Sequence, residues 1–359
     1  MKTKITELSF DELKQVLAGY GQPEYRARQV FKWLYLKLAA KFDEMTDLPA
    51  GLRQRLAAET ILLRLHQIDE VSTEDGRTVK VLFELEDKKS VESVLMMAEE
   101  AGEERKRNTV CVSSQVGCTT HCPFCATGQQ GFERNLTPGE IIEQVLYFQR
   151  QLAASRYAPV TAGITPNYLT NIVFMGMGEP LANYESVRKA VETLISKEGM
   201  GFGMRRITIS TCGLVPEIKR LADESFHVEL AISLHAPNNA LRDRLVPINK
   251  EYPIEMLVAA VDYYFEKTGR RPTFEYILFR GLNDTLENAR ELAHLLRGKN
   301  CHVNLIPASP TLSPKFAPTP IEQIRAFQEE LTRLGISNTL RMSKGLEIQA
   351  ACGQLRSKR

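Results

Sequence analysis

From Thr109 onward, strand-like and helix-like stretches alternate six times, and this constrains the fold more than any other feature of the chain. The strand-like stretches are 110–113, 171–175, 206–211, 228–234, 273–279 and 302–306. Helical periodicity occupies about 138–152, 184–197, 215–224, 254–268, 285–297 and 320–334. A strand, a crossover helix and a second strand form a right-handed parallel unit, so the series predicts an α/β sheet with helices outside. Six units are too few for a closed eight-fold barrel, which leaves an open six-unit barrel or a doubly wound sheet. An open barrel has a lateral mouth, suited to a bulky substrate. Residues 153–170, with Pro159, Gly163 and Pro166, read as an insertion loop between the first helix and the second strand.

The stretch before this series reads differently. Residues 1–65 form an N-terminal helical accessory domain. Leu8, Leu13, Val16 and Leu17 recur at helical spacing behind Ser9, an N-cap with Glu12 three residues on. Tyr25, Val30, Phe31, Leu34 and Leu36 form a second run interleaved with Arg26, Arg28, Lys32 and Lys37, and residues 52–63 a third. An aromatic and basic helix pair suits a nucleic-acid backbone, although a core stripe with a solvated face explains it as well. Residues 66–97 alternate with period two around Glu86-Asp87-Lys88, predicting a small antiparallel sheet. The charged run 98–108 reads as an exposed loop; 66–108 is thus a β extension and linker. The core then covers 109–345, and 346–359 is a C-terminal segment.

A chain of 359 residues with 43% hydrophobic and 25% charged content is an ordinary globular protein. The N-terminus is charged and lacks a secretory apolar run, and no stretch approaches the roughly 18 apolar residues of a membrane span. Seven cysteines, an odd number, then argue for a reducing cytoplasm and cysteine chemistry.

Three of those cysteines lie in Gly117-Cys118-Thr119-Thr120-His121-Cys122-Pro123-Phe124-Cys125, spaced C-x3-C-x2-C directly after the first core strand. That is the carboxyl-end mouth of the sheet, where α/β active sites collect. A 4Fe–4S cluster takes four cysteines, so three ligands leave one iron open to a small molecule. A structural zinc site with His121 is the alternative, but His121 adjoins Cys122 and joint ligation needs an unusual turn. At other strand ends stand Phe174-Met175-Gly176-Met177-Gly178-Glu179-Pro180, Ser210, Ser233-Leu234-His235 and Asn304. Taken singly, each of these short polar groups reads as a strand cap.

The three-cysteine loop, with an aromatic before its last cysteine, resembles the radical S-adenosylmethionine superfamily. That resemblance implies a partial open (β/α)6 barrel, a 4Fe–4S cluster on Cys118, Cys122 and Cys125, and S-adenosylmethionine cleaved to a 5′-deoxyadenosyl radical. Cys111-Val112-Ser113-Ser114-Gln115-Val116-Gly117-Cys118, Ala126-Thr127-Gly128-Gln129-Gln130-Gly131-Phe132 and Ala351-Cys352-Gly353-Gln354-Leu355 narrow it. With the Gly-Met-Gly-Glu-Pro motif, they resemble the bacterial ribosomal and transfer RNA adenine C2-methyltransferases over nearly the whole chain. The resemblance implies that Gly178, Glu179, Ser210, Ser233, Leu234, His235 and Asn304 line the S-adenosylmethionine site. It makes Cys352 the methyl carrier, Cys111 its partner thiol and Glu92 the proton acceptor.

Adenine C2 is electrophilic and has no nucleophilic lone pair, so direct transfer from a sulfonium fails there. As the resemblance implies, Cys352 takes a methyl from one S-adenosylmethionine, and a radical from a second removes hydrogen from it. The carbon radical adds to the base. A proton acceptor and thiolate attack by Cys111 then resolve the thioether, leaving a disulfide. Cys352, near a flexible terminus, can swing to the cluster. Cys212 and Cys301 read as packing residues.

The implied partners are 23S ribosomal RNA and transfer RNA, and an electron donor such as flavodoxin or ferredoxin. The protein is expected to act as a cytoplasmic monomer without membrane contact. The net charge of +2 is small, so RNA contact needs local patches: Arg26, Arg28 and Lys32; Arg205 and Arg206; Arg341 and Lys344; Arg356, Lys358 and Arg359. A flipped or unstacked adenosine would enter the mouth. Two rivals stand beside this reading: the related C8-methylating resistance enzymes, and a non-catalytic iron–sulfur RNA-binding or redox protein.

Overall fold

The computed structural model describes residues 2–98, 107–154, 156, 168–309 and 314–356. Most of the run 98–108 and of the loop 153–170, and the terminal Lys358 and Arg359, therefore lie outside the described residues.

The amino-terminal part holds β1 (Thr3–Lys4), α1 (Phe10–Gly19), α2 (Tyr25–Tyr35), α3 (Ala50–Glu59) and β2 (Thr60–Ile61). Ser9 and Glu12 form the expected capping box, each side chain accepting the other's backbone N–H at 3.2 and 2.7 Å. The third helix stops at Glu59, earlier than its periodicity predicts. Thr60 turns its hydroxyl back onto the Leu56 carbonyl at 2.7 Å, and Thr60–Ile61 pairs in parallel with Thr3–Lys4.

Next come β3 (His66–Ser72), β4 (Thr78–Glu84), β5 (Ser90–Ala98) and β6 (Arg107–Cys111). The antiparallel strands are not a separate small sheet. β6 pairs antiparallel with β5 on one side and parallel with β9 (Asn171–Phe174) on the other, fusing both parts into one ten-stranded sheet. Between them lie β7 (Gln115–Gly117), α4 (Ala126–Gln130), β8 (Phe132–Asn135) and α5 (Pro138–Ala153). After β9 the chain runs α6 (Tyr184–Ile195), β10 (Ile207–Thr211), α7 (Val215–Ala222), β11 (Glu229–Ser233), α8 (Asn239–Leu245) and α9 (Ile254–Thr268). It closes with β12 (Thr273–Leu278), α10 (Leu286–Leu295), β13 (His302–Pro307), α11 (Ile321–Arg333) and β14 (Asn338–Leu340).

The strand order is β14-β13-β12-β11-β10-β9-β6-β5-β4-β3. All six expected parallel strands are present, and β14 adds a seventh beside β13. The series is linear with two free edges among the described residues, which is an open sheet. One buried cluster runs from Ile5 and Phe31 through Val81, Phe148, Ile172 and Ile232 to Leu355, so the helical module and the sheet share a core. Among the described residues, no helix is long and apolar enough to cross a membrane.

Candidate active site

The loop after β6 is fixed before any cysteine appears. The Val112 and Ser114 N–H groups donate to the carbonyls of Val173 and Met177 at 3.0 and 2.8 Å, and the Met177 N–H donates to Ser113 Oγ at 2.8 Å. The Gly-Met-Gly-Glu turn is thereby stitched to the cysteine loop. Gly178 has φ +100, and a Cβ there would lie 2.6 Å from Gln115 Cβ, so this close approach admits only glycine.

Cys118, Cys122 and Cys125 line a cavity of about 130 Å³ at the carboxyl ends of β9, β10 and β11. Gly178, Glu179, Ser210, Ser233 and His235 line it too, and Cys352 faces it from the C-terminal segment. Leu234 is absent from this wall: it is fully buried in the core, and its N–H donates to the Glu275 carbonyl at 3.1 Å. Asn304 lines an adjoining cavity of about 570 Å³ and donates to Glu275 Oε1 at 2.9 Å. Cys111 and Cys352 both line that second cavity, while Cys352, Glu275 and Arg341 border the two.

Glu92 lines neither cavity. Its carboxylate is buried against Lys80 Nζ at 3.1 Å and accepts the Arg356 N–H at 2.9 Å. The C-terminal segment, expected to be flexible, is tied down elsewhere too: Ala126 N–H donates to the Gly353 carbonyl at 2.8 Å, and Thr127 Oγ1 to the Leu355 carbonyl at 2.5 Å.

Glu179 is buried, and its carboxylate accepts N–H groups from Leu181 and Cys212 at 3.0 and 2.7 Å. Burial raises its pKa, while those donors act in the opposite direction. Burial also pushes the thiols of Cys111 and Cys118 up to about 12 and raises that of Cys125. Cys352 is exposed, yet the protein atoms crowding its sulfur raise its thiol and the Arg341 guanidinium lowers it. Buried thiols become thiolates readily only against a cation, which a cluster iron provides. Among the described residues no three His, Cys, Asp or Glu side chains converge on a single-ion site. Cys118, Cys122 and Cys125, lining one cavity, are a donor set that could hold a 4Fe–4S cluster.

Several site residues escaped the sequence reading. Cys212 packs against a buried cluster, as expected, and also lines the first cavity, its sulfur 3.8 Å from Thr120 Oγ1, where its hydrogen bond with Cys122 raises its thiol well above the usual range. The Thr120 hydroxyl lies 3.1 Å from Cys118 Sγ and 3.7 Å from Cys122 Sγ. Fully buried Arg242 donates to the carbonyls of Cys212, Ser233 and Leu234 at 2.5, 3.2 and 3.2 Å, tying two strand ends together. An arginine in a short α8 after a histidine gives no such signal in sequence. Cys301, in contrast, is buried ahead of β13.

The Radical SAM superfamily model matches residues 112–296, and the model of the ribosomal RNA large subunit methyltransferase N-terminal domain matches residues 3–62. A probable dual-specificity RNA methyltransferase RlmN from Dictyoglomus thermophilum is 45% identical over 353 residues, 98% of this chain and 96% of that protein. The chain belongs to the RlmN family of the radical SAM superfamily. A similarly named Staphylococcus aureus protein is 44% identical over 357 residues, covering 99% of this chain and 93% of the relative. The crystal structure of a radical SAM methyltransferase from Sphaerobacter thermophilus superposes with a TM-score of 0.90 at 50% identity, covering 99% of both chains. The enzyme is thus a radical S-adenosylmethionine-dependent RNA methyltransferase, and its superfamily implies the cluster and S-adenosylmethionine.

Proposed function

We propose that the enzyme methylates C2 of an adenosine in the peptidyl-transferase region of 23S ribosomal RNA, and C2 of the adenosine next to the anticodon in transfer RNA. The carrying observation is that Cys111 and Cys352 open into one cavity that adjoins the three-cysteine cavity. The amino-terminal match to a ribosomal RNA large subunit methyltransferase domain supports the first substrate, and the dual specificity named for the relatives supports the second. When bound, the cluster and two S-adenosylmethionine molecules per turnover supply the methyl group and the 5′-deoxyadenosyl radical.

The chain's own residues do the rest. Gly178, Glu179, Ser210, Ser233 and His235 cradle the nucleoside and amino acid groups, with Asn304 and the Leu234 backbone behind them through Glu275. Cys352 carries the one-carbon unit to the base and Glu92 takes the C2 proton. The Cys111 thiolate attacks Cys352 sulfur, the sulfur–carbon bond breaks, the freed carbon takes up a proton to become the methyl, and the adduct returns one electron to the electron-transfer partner. The resulting Cys111–Cys352 disulfide needs an external thiol, and each radical event an electron donor such as flavodoxin or ferredoxin.

Anaerobic reconstitution, methylation of RNA fragments and mass mapping test this reading, with Cys352→Ala beside wild type. Wild type is expected to give 2-methyladenosine and the variant none. Methylation at C8 alone would overturn the C2 assignment, and full activity of Cys352→Ala the carrier mechanism.

A further inference from the structure

Lys80 is an anomaly. It stands in β4, a strand buried on both faces, and its side chain is only 7% exposed. A lysine there costs free energy unless every donor is used. Its Nζ sits 3.1 Å from Glu92 Oε1 and donates to the Gln349 carbonyl at 3.0 Å, across 269 residues of chain. The other Glu92 oxygen accepts the Arg356 N–H at 2.9 Å. One buried ion pair thus grips the C-terminal segment three residues before Cys352 and four residues after it.

The register explains the reach. Leu82 lies opposite Glu92 and Lys80 opposite Val94, while Val94 lies opposite Cys111 in β6. Partners across an antiparallel ladder share a face, so Lys80, Glu92, Val94 and Cys111 look the same way. Val94 and Cys111 wall the larger cavity. The C-terminal segment lies over that face, with Gly345 so close that a Cβ would stand 2.9 Å from Thr78 Cγ2.

We propose that Lys80 and Glu92 are positioning residues that clamp the Cys352 segment in its cluster-facing place. This rests on the reading of Cys352 as methyl carrier. Glu92 Oε1 faces Lys80 and Oε2 accepts the Arg356 N–H, so docking of the segment occupies one of the two carboxylate oxygens. The movement that takes Cys352 away from the cluster cavity releases Glu92 Oε2 from the Arg356 N–H and leaves the Lys80 ion pair in place.

The test uses the anaerobically reconstituted full chain and follows amide hydrogen exchange of residues 345–356 beside that of β4 and β5. Lys80→Met is expected to speed exchange of the segment about tenfold or more, the worth of a hydrogen bond to a charged group. Exchange in β4 and β5 should stay unchanged, and Lys80→Arg should restore protection. The initial rate of Cys352 methylation, read from the mass of the C-terminal peptide, should fall in Lys80→Met with the KM for S-adenosylmethionine unchanged. If Lys80→Met also loosens β4 and β5, the double variant Lys80→Met/Glu92→Met decides, because apolar replacement of a buried ion pair usually preserves the fold. Unchanged segment exchange in the variant that keeps β4–β5 protection would overturn the clamp. So would loss of that protection in the double variant, since the pair would then serve the sheet alone. Absence of Cys352 methylation in wild type would instead overturn the proposed function, and the exchange comparison would still decide the clamp.

Discussion

His235 shows how much one residue can be asked to do. Its backbone sits at φ +57, its Nδ1 accepts the Ile277 N–H at 3.1 Å, and its carbonyl accepts Asn283 Nδ2 at 2.7 Å. Phe124, next to Cys125, meets it edge-on at 5.2 Å. Burial, helped by the nearby Arg242 charge, lowers its pKa to about 3. The unfolded chain takes up the proton near pH 6.5, well above the folded value, so stability present above pH 6.5 is lost as pH falls towards 3. Between pH 7.5 and 5.5 this one group costs about 1.4 kcal/mol. Asparagine tolerates positive φ and places an acceptor near Nδ1, so His235→Asn should fold and lose that much less stability over the same interval, by urea unfolding. Parallel losses in both proteins would contradict the argument. The Ser233-Leu234-His235 motif marked this corner in the sequence, but the reading that put all three in the site did not separate Leu234, which points into the core while Ser233 and His235 line the cavity. Arg242, which holds this corner from α8, was not legible, because its role depends on contacts distant in sequence.

At the scale of elements, long periodic segments with caps were readable and short ones were not. α5 starts on Thr137-Pro138 with Glu140 completing a capping box, and its bounds fall within a residue of expectation. The β7–β8 hairpin and β14 have three or four residues each, too few for periodicity to register. The junction of the two halves of the sheet was also invisible, because nothing local tells β6 that it will pair with both β5 and β9. Gln144 in α5 secures that junction. Its Oε1 accepts from Ser93 Oγ and the Ser113 N–H at 2.5 and 2.7 Å, and its Nε2 donates to the Ser113 carbonyl at 3.0 Å. Gln144→Leu keeps the volume but strands three buried polar groups, at about 1–3 kcal/mol each. A loss of about 3 kcal/mol or more in urea unfolding is expected, and a loss under about 1 kcal/mol would mean that the site loop is held by other contacts.

For the whole molecule, a net charge of +2 leaves no general attraction for RNA, so phosphate contacts must be concentrated in one place. α2 supplies such a place. Ala27, Val30, Phe31 and Leu34 are buried in the common core, which holds the helix rigidly against the body. Outward, Tyr25, Arg28, Lys32 and Leu36 follow one another at helical spacing, with Tyr25 52% and Leu36 53% exposed. Among the described residues, Arg28 has a long ion pair, 3.8 Å to Glu24. Arg26, grouped with these in sequence, is instead spent on Gln29 and the Asp47 carbonyl at 2.7 and 3.2 Å. An exposed aromatic–basic stripe on a helix fixed to the common core fits an RNA held by its backbone. Arg28→Glu/Lys32→Glu should therefore weaken RNA binding and reduce the slope of log K against log salt by about 1.4–1.8, the share of two phosphate contacts. Methylation of Cys352 without RNA should proceed at the wild-type rate, because α2 touches neither cavity. An unchanged salt slope would move the RNA to another face of the enzyme. A slowed RNA-free methylation would show that the helix supports the catalytic body as well as its substrate.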